Sequence, residues 1–162
     1  MGGGILPIAR KDGYYYVLMA RESVDIEWRD AGKWSDFGGS REGRESQYDT
    51  ALREGTEETA GIFGNIQDIE SLMKYNCIDR ITIPNYSTYL IETDFNTMLP
   101  YWFNKKYRYI LKTKPNLVHE RNGLYEKDKL RWIKVNNLMP FMKHVRFWFK
   151  PLLLKIYNKY KN

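Results

Sequence analysis

Apolar residues fall in short runs broken by Gly, Asp and Asn, not in long uniform stretches. "GILPIA" and "GYYYVLMAR" are β-rich, and the turn signal "RKDG" between them predicts a hairpin. "RESVDIEWRDAGKW" is polar and mixed and reads as a loop, and "WSDFGG" as a short strand running into glycines. Ser46, with Asp49 three residues on, has a capping-box pattern and predicts a helix from about Gln47 to Thr59, with Gly61 and Gly64 as stop signals. "LMKYNCIDRITI" and "STYLIET" are expected as two further strands, and "TMLPYWFNKKYRYILK" as a helix. "KPNLVHERNGLYEKDKL" is loop-like, "LRWIKV" a strand and "NNLMPF" a turn of helix. A basic C-terminal helix is expected within about 142–162, chiefly from Lys150 to Tyr160, with Pro151 in its first turn. Strands and helices mix without strict alternation, which predicts an α/β (or α+β) fold on a mixed sheet. No repeat or Ser/Pro-rich linker interrupts residues 1–162, so a single domain is expected.

Composition narrows the chemistry. No apolar run approaches the roughly 20 residues needed to span a bilayer, and "MGGGILPIARKDG" has no basic segment leading into an apolar one. Leu6 stands where myristoylation expects Ser or Thr. The expectation is a soluble, cytoplasmic protein. Cys77 is the single cysteine and His119 and His144 the two histidines, so any metal is expected on oxygen ligands. The net charge of +6 is unevenly spread. Residues 1–97 hold 10 Lys/Arg and 17 Asp/Glu, a net of −7, whereas residues 98–162 hold 16 and 3, a net of +13. A basic half of this kind suits a polyanion such as RNA; the alternative is a solvated lysine-rich surface. The basic, apolar tail "HVRFWFKPLLLKIYNKYKN" is read as a helix that closes the domain, in preference to one lying on a membrane.

The stretch "GGSREGRESQYDTALREGTEETAGIFG" poses an electrostatic problem. Helical spacing puts Glu54, Glu57 and Glu58 on one face. Like charges three or four apart cost roughly 0.2–0.5 kcal/mol per pair, and Arg53 offsets only part of that. A solvated face tolerates such a cost. A site for a hard divalent cation makes use of it.

The spacing Gly39, five residues, Glu45, seven residues, Arg53-Glu54, two residues, Glu57-Glu58 resembles the Nudix box, G-x5-E-x7-R-E-U-x-E-E-x-G-U, with U a bulky aliphatic. Six fixed positions agree. Gly55 stands at the aliphatic and is expected to bury nothing, Ala60 stands at the glycine, and Gly61 at the last aliphatic, which Ile62 can supply. "GGGILPIA", "YYVLMARE", "KWSDFGG" and "EKDKLRWIKV" look like other strands of the same family, so the resemblance covers roughly residues 2–140; the residues beyond add nothing to it.

The resemblance implies an α/β/α sandwich around a mixed sheet. It also implies Mg²⁺- or Mn²⁺-dependent cleavage of a diphosphate linkage in a nucleoside diphosphate joined to a further group. Glu54, Glu57 and Glu58 would ligate the metal with the Gly39 carbonyl, while Glu45 and Arg53 would orient the carboxylates. The general base stays open among Glu54, Glu120 and Glu126, with Glu120 preferred for its reach and His119 a bystander. Trp28, Tyr101, Trp102 and Phe103 could stack on a base, or be core, and Lys105 and Lys106 could meet phosphates. "WSDFGG" and the basic tail look like Nudix proteins of large DNA viruses, some of which remove mRNA caps in the host cytoplasm. The competing readings are hydrolysis of a free metabolite (a nucleotide sugar, dinucleoside polyphosphate, damaged nucleotide or inositol pyrophosphate) and an RNA-binding module without catalysis.

Overall fold

The computed structural model describes residues 1–120 and 122–162. Its first two strands, β1 (Gly2–Lys11) and β2 (Tyr14–Glu22), form the expected hairpin, turning at Asp12-Gly13 with both residues at positive φ. Their side chains alternate between two apolar cores. Leu6, Ile8, Val17 and Met19 face one, and Ile5, Leu18 and Ala20 the other. Both faces of the sheet are therefore covered, which is why these strands read as near-continuous apolar runs.

Among the described residues the sheet has seven strands. The others are β3 (Trp34–Ser35), β4 (Phe37–Ser40), β5 (Cys77–Ile83), β6 (Tyr86–Glu92) and β7 (Lys127–Lys134). β1 pairs with β6 in parallel, and the other ladders are antiparallel. "WSDFGG" is two strands and not one, because the chain changes partner at Asp36: Trp34 and Ser35 pair with β2, whereas Phe37 to Ser40 pair with the first half of β1. β2 meanwhile leaves β1 after Val17 and runs along β7. Into the wedge between them point Glu22, Ser35, Asp36 and Lys127, all buried.

One face carries α1 (Gln47–Glu58), α2 (Ile66–Tyr75) and α3 (Leu99–Thr113), through Ala51, Ile69, Met73 and Phe103. Short α4 (Asn116–His119) follows α3. The other face carries α5 (Leu138–Phe141) and α6 (Lys150–Tyr160), through Leu138, Leu152, Leu153 and Ile156. The result is an α/β/α sandwich around a mixed sheet. Each fully buried Leu or Ile here contributes about 1.5–3 kcal/mol.

Several expectations are corrected. Leu72 to Tyr75 are helical and not the start of a strand; Asn65 and Asp68 form a capping box that opens α2, and Ile69 and Met73 bury one face of it. The stretch expected as loop-like, 114–130, holds a helical turn at 116–119 and the first residues of β7. The C-terminal helix covers 150–160, the part expected to carry it, and only the wider bound of 142 is corrected, because 142–144 and 147–149 are two 3-10 turns. Gly55 is buried, and a Cβ there would lie 2.8 Å from Ile5 Cδ1. The apolar anchor between helix and sheet comes from the strand, and the helix gives way to it.

Candidate active site

The capping box at Ser46 fixes where α1 begins, and so which residues face the sheet edge. Ser46 Oγ accepts from the Asp49 amide at 3.1 Å, and Asp49 Oδ2 accepts from the Ser46 amide at 3.0 Å. One turn on, Arg53 is the hub of the acidic face. Its Nε donates to Glu45 at 2.8 Å, one Nη to Glu54 at 3.0 Å and Glu57 at 3.4 Å, and the other Nη to the Ser40 carbonyl at 3.0 Å. The hydrogen bonds from Arg53 hold Glu45 at about 2, far below its ordinary value. Glu45 also accepts from the Glu42 amide and the Thr50 hydroxyl. Glu45 and Arg53 thus form a frame that ties the β4–α1 loop to the helix.

Glu54, Glu57 and Glu126 line one cavity of about 330 Å³, with Glu42, Asn122 and Gly123 around them. Burial pushes the Glu54 and Glu57 carboxyls up; Arg53 opposes the shift and Glu126 adds to it. The loop before β7 reaches the helix through two positive-φ residues, Gly123 (87°) and Tyr125 (55°). A Cβ on Gly123 would fall 2.5 Å from Glu57 Oε2, and one on Gly39 would fall close to the Glu54 carboxylate. The backbone therefore closes on the carboxylates from two sides. Glu120, preferred from sequence for its reach, is exposed at the end of α4 and does not line this cavity. The bend at 123–125 delivers Glu126 instead.

Glu58 lies behind the others and is only 4% exposed. Its Oε1 is 3.3 Å from Lys127 Nζ, while its Oε2 is buried with no hydrogen-bond partner among the described residues. Burial pushes its carboxyl well up; Lys127 opposes this, and Glu22, Glu54 and Glu126 reinforce it. Lys127 is fully buried and also paired with Glu22, whose Oε1 accepts from Arg146 at 3.1 Å. Among the described residues, no three acidic, His or Cys side chains are gathered into a closed metal cluster. The cations present account for this, since Arg53 draws on Glu54 and Glu57 and Lys127 on Glu58. The donor set still fits a hard divalent ion: oxygen ligands alone, raised carboxyls crowded together, and one buried oxygen left without a partner.

The sequence matches no family model and no curated relative. Solved structures do match. The C. elegans Ap4A hydrolase binary complex is 13% identical, over 96% of this chain and 95% of that one, with a TM-score of 0.55. The NUDIX domain of Shewanella oneidensis NrtR, complexed with ADP ribose, is 13% identical over 98% and 86%, with a TM-score of 0.50. The chain has the Nudix hydrolase fold.

The remaining sequence candidates lie away from the cavity of this Nudix fold. Phe103 is core. Trp28 lies against Arg146, whose guanidinium carbon is 5.1 Å from its ring centroid. Lys106 Nζ donates to the Ala60 carbonyl and so links α3 to the end of α1. Tyr101, Trp102 and Lys105 are exposed on α3. Sequence reasoning missed Glu22, Asp36, Lys127 and Arg146. Glu22 and Lys127 are partners in the β2–β7 register; a charged residue at the inner end of a strand was the available signal. Arg146, beyond residue 140, is built into the same wedge: its amide donates to the Trp34 carbonyl at 2.9 Å and its side chain to Asp30 at 2.9 Å.

Proposed function

We propose that this protein is a divalent-cation-dependent pyrophosphohydrolase acting on a nucleoside-diphosphate-linked substrate. The observation that carries the reading is the convergence of Glu54, Glu57 and Glu126 on one cavity, with the unpartnered Glu58 Oε2 buried behind them. Glu54, Glu57, Glu58 and the Gly39 carbonyl would hold Mg²⁺ or Mn²⁺. When bound, the ion neutralises phosphate charge and makes water more acidic. The chain's own residues do the rest. Arg53 and Glu45 keep the carboxylates in place, Lys127 offsets the charge of Glu58, and Glu126 stands where it can accept a proton from water. In-line phosphoryl chemistry needs this kind of positioning more than covalent help.

As the finer reading we infer RNA carrying a 5′ cap, from the net charge of +13 over residues 98–162. A second reading, a free nucleotide metabolite, draws on the two fold neighbours, one an Ap4A hydrolase and the other complexed with ADP ribose. The test is a panel of capped RNA, dinucleoside polyphosphates and nucleotide sugars with Mg²⁺ or Mn²⁺ and identification of products. Cleavage at a diphosphate linkage, lost in Glu57→Gln, is expected. If every member of the panel survives with both metals, the proposal fails. If only the free nucleotides are cut, the cap reading is replaced by the metabolite one.

A further inference from the structure

α3 carries an outward face that packing does not explain. Its inner side is ordinary, with Phe103 and Tyr107 buried. Helical periodicity gathers Tyr101, Trp102, Lys105, Arg108, Tyr109 and Lys112 on the opposite side, within about a third of the circumference. The three rings are 53%, 52% and 64% exposed. Tyr101 and Trp102 stack edge to face at 5.5 Å, and Lys105 Nζ lies 5.9 Å from each ring centroid. Residues 99–114 hold five Lys/Arg and no Asp/Glu. A solvated face needs cations but not large rings, and a protein-docking face needs rings but not cations alone.

We propose that this face of α3 is a binding track for single-stranded RNA. The inference rests on the function proposed above and names the part of the surface that engages the same enzyme's polyanionic partner. Bases stack on exposed rings irrespective of sequence, and interleaved cations meet the phosphates. Tyr101 to Lys112 spans about 16 Å of helix axis, room for a few nucleotides. One turn of the helix, at Asn104 and Lys106, is also tied to the segments that carry the candidate site. Asn104 Nδ2 donates to the Asp128 carbonyl at 3.0 Å, two residues from Glu126, and Lys106 reaches the Ala60 carbonyl, two residues past Glu58. α3 therefore contacts both the end of α1 and the start of β7, the two segments next to the carboxylates.

The test measures binding only, by fluorescence anisotropy of an unstructured 20-nucleotide RNA with the full chain in EDTA, from 50 to 200 mM salt. Reversing Lys105, Arg108 and Lys112 to Glu should lower the slope of log affinity against log salt by about 2, at roughly 0.7 per phosphate contact. Trp102→Ala should weaken binding roughly 5- to 150-fold at every salt concentration. Reversing Lys143, Lys150 and Lys161 changes net charge equally and should leave the slope far steeper than the α3 reversal does. Equal effects of the two triple variants would overturn the proposal in favour of diffuse charge. So would α3 variants, with unchanged melting curves, that bind RNA like wild type but release anionic phosphatidylserine vesicles. Since no hydrolysis is scored, failure here leaves the hydrolase reading standing, and failure of the substrate panel leaves this binding result standing.

Discussion

Asp36 should make the protein lose stability as pH rises through the range where most proteins are steady. It is fully buried and accepts from the Tyr86 hydroxyl at 3.1 Å and from the Thr88 hydroxyl. Burial raises its carboxyl from 3.8 to about 6; the two hydroxyls, Lys127 and Arg146 oppose this without cancelling it. The folded value lies above the unfolded one, so Asp36 favours folding fully below pH 4 and loses that contribution as pH rises through 6. A rise from 3.8 to about 6, at 1.36 kcal/mol for each tenfold change in proton affinity, is worth about 3 kcal/mol by pH 8. Asp36→Asn keeps the shape and the hydroxyl partners but cannot ionise.

The assay is urea unfolding of wild type and Asp36→Asn at half-unit steps from pH 4 to 8. The difference between the two isolates Asp36 from the other groups that titrate. Asp36→Asn should gain on wild type by about 1.4 kcal/mol per pH unit at most, levelling near 3 kcal/mol above pH 7. A difference that stays flat across the range, or one that favours wild type at pH 8, would refute the reasoning. It would mean that Lys127 and Arg146 outweigh burial and keep Asp36 ionised throughout.

Other consequences can be checked separately. Glu57→Gln should abolish nearly all turnover while leaving the apo melting temperature equal or slightly raised, since it removes one of several crowded like charges; differential scanning fluorimetry beside the substrate panel reads both. Glu126→Gln should lower kcat by roughly 10²–10⁴ if Glu126 takes the proton from water, with Glu120→Gln near wild type; the reverse order in steady-state kinetics would return the role to Glu120. Lys127→Met leaves Glu22 and Glu58 buried without their shared cation and should cost about 3–5 kcal/mol in urea unfolding at pH 7.5; a loss under 1 kcal/mol would show that water reaches the wedge. Ala60 has φ of 51° at the end of α1, so Ala60→Gly should stabilise by about 0.5–1 kcal/mol, read as a rise in melting temperature.

How much of this the sequence discloses depends on the range of the physics involved. Local rules worked where they acted alone. Ser46 and Asp49 located the start of α1, and Asp12-Gly13 located the hairpin turn, because both effects lie within four residues. The same rule applied at Asn65 and Asp68 and was obscured by the apolar run that follows. Leu72 and Met73 belong to a helical period, but beside "CIDRITI" they resemble the start of a strand. Gly55 misled for a different reason. Its value lies in a contact with Ile5, fifty residues away, and no rule of helix propensity contains that term.

The candidate site divides along the same line. Glu45, Arg53, Glu54, Glu57 and Glu58 share one helix and its approach, so a fixed spacing exposes them all. Their support does not. Lys127 in "LYEKDKL" resembles any surface lysine until the β2–β7 register sets it opposite Glu22, and only the wedge between β1 and β2 then brings Glu58 to the same amine. Arg146 reaches Glu22 because the segment after β7 crosses to Trp34, where Val145 forms a bridge and the Arg146 amide a hydrogen bond. The part of the chain that added nothing to the family resemblance therefore supplies the second cation of the buried network. Two cations, Lys127 and Arg146, stand among the buried carboxyls Glu22, Asp36 and Glu58, and Arg146 is shared with Asp30 as well, so the wedge is short of positive charge. Burial cannot leave that imbalance unanswered. Either a carboxyl keeps its proton, as the raised values of Asp36 and Glu58 indicate, or a cation comes to the Glu58 oxygen that has no hydrogen-bond partner among the described residues.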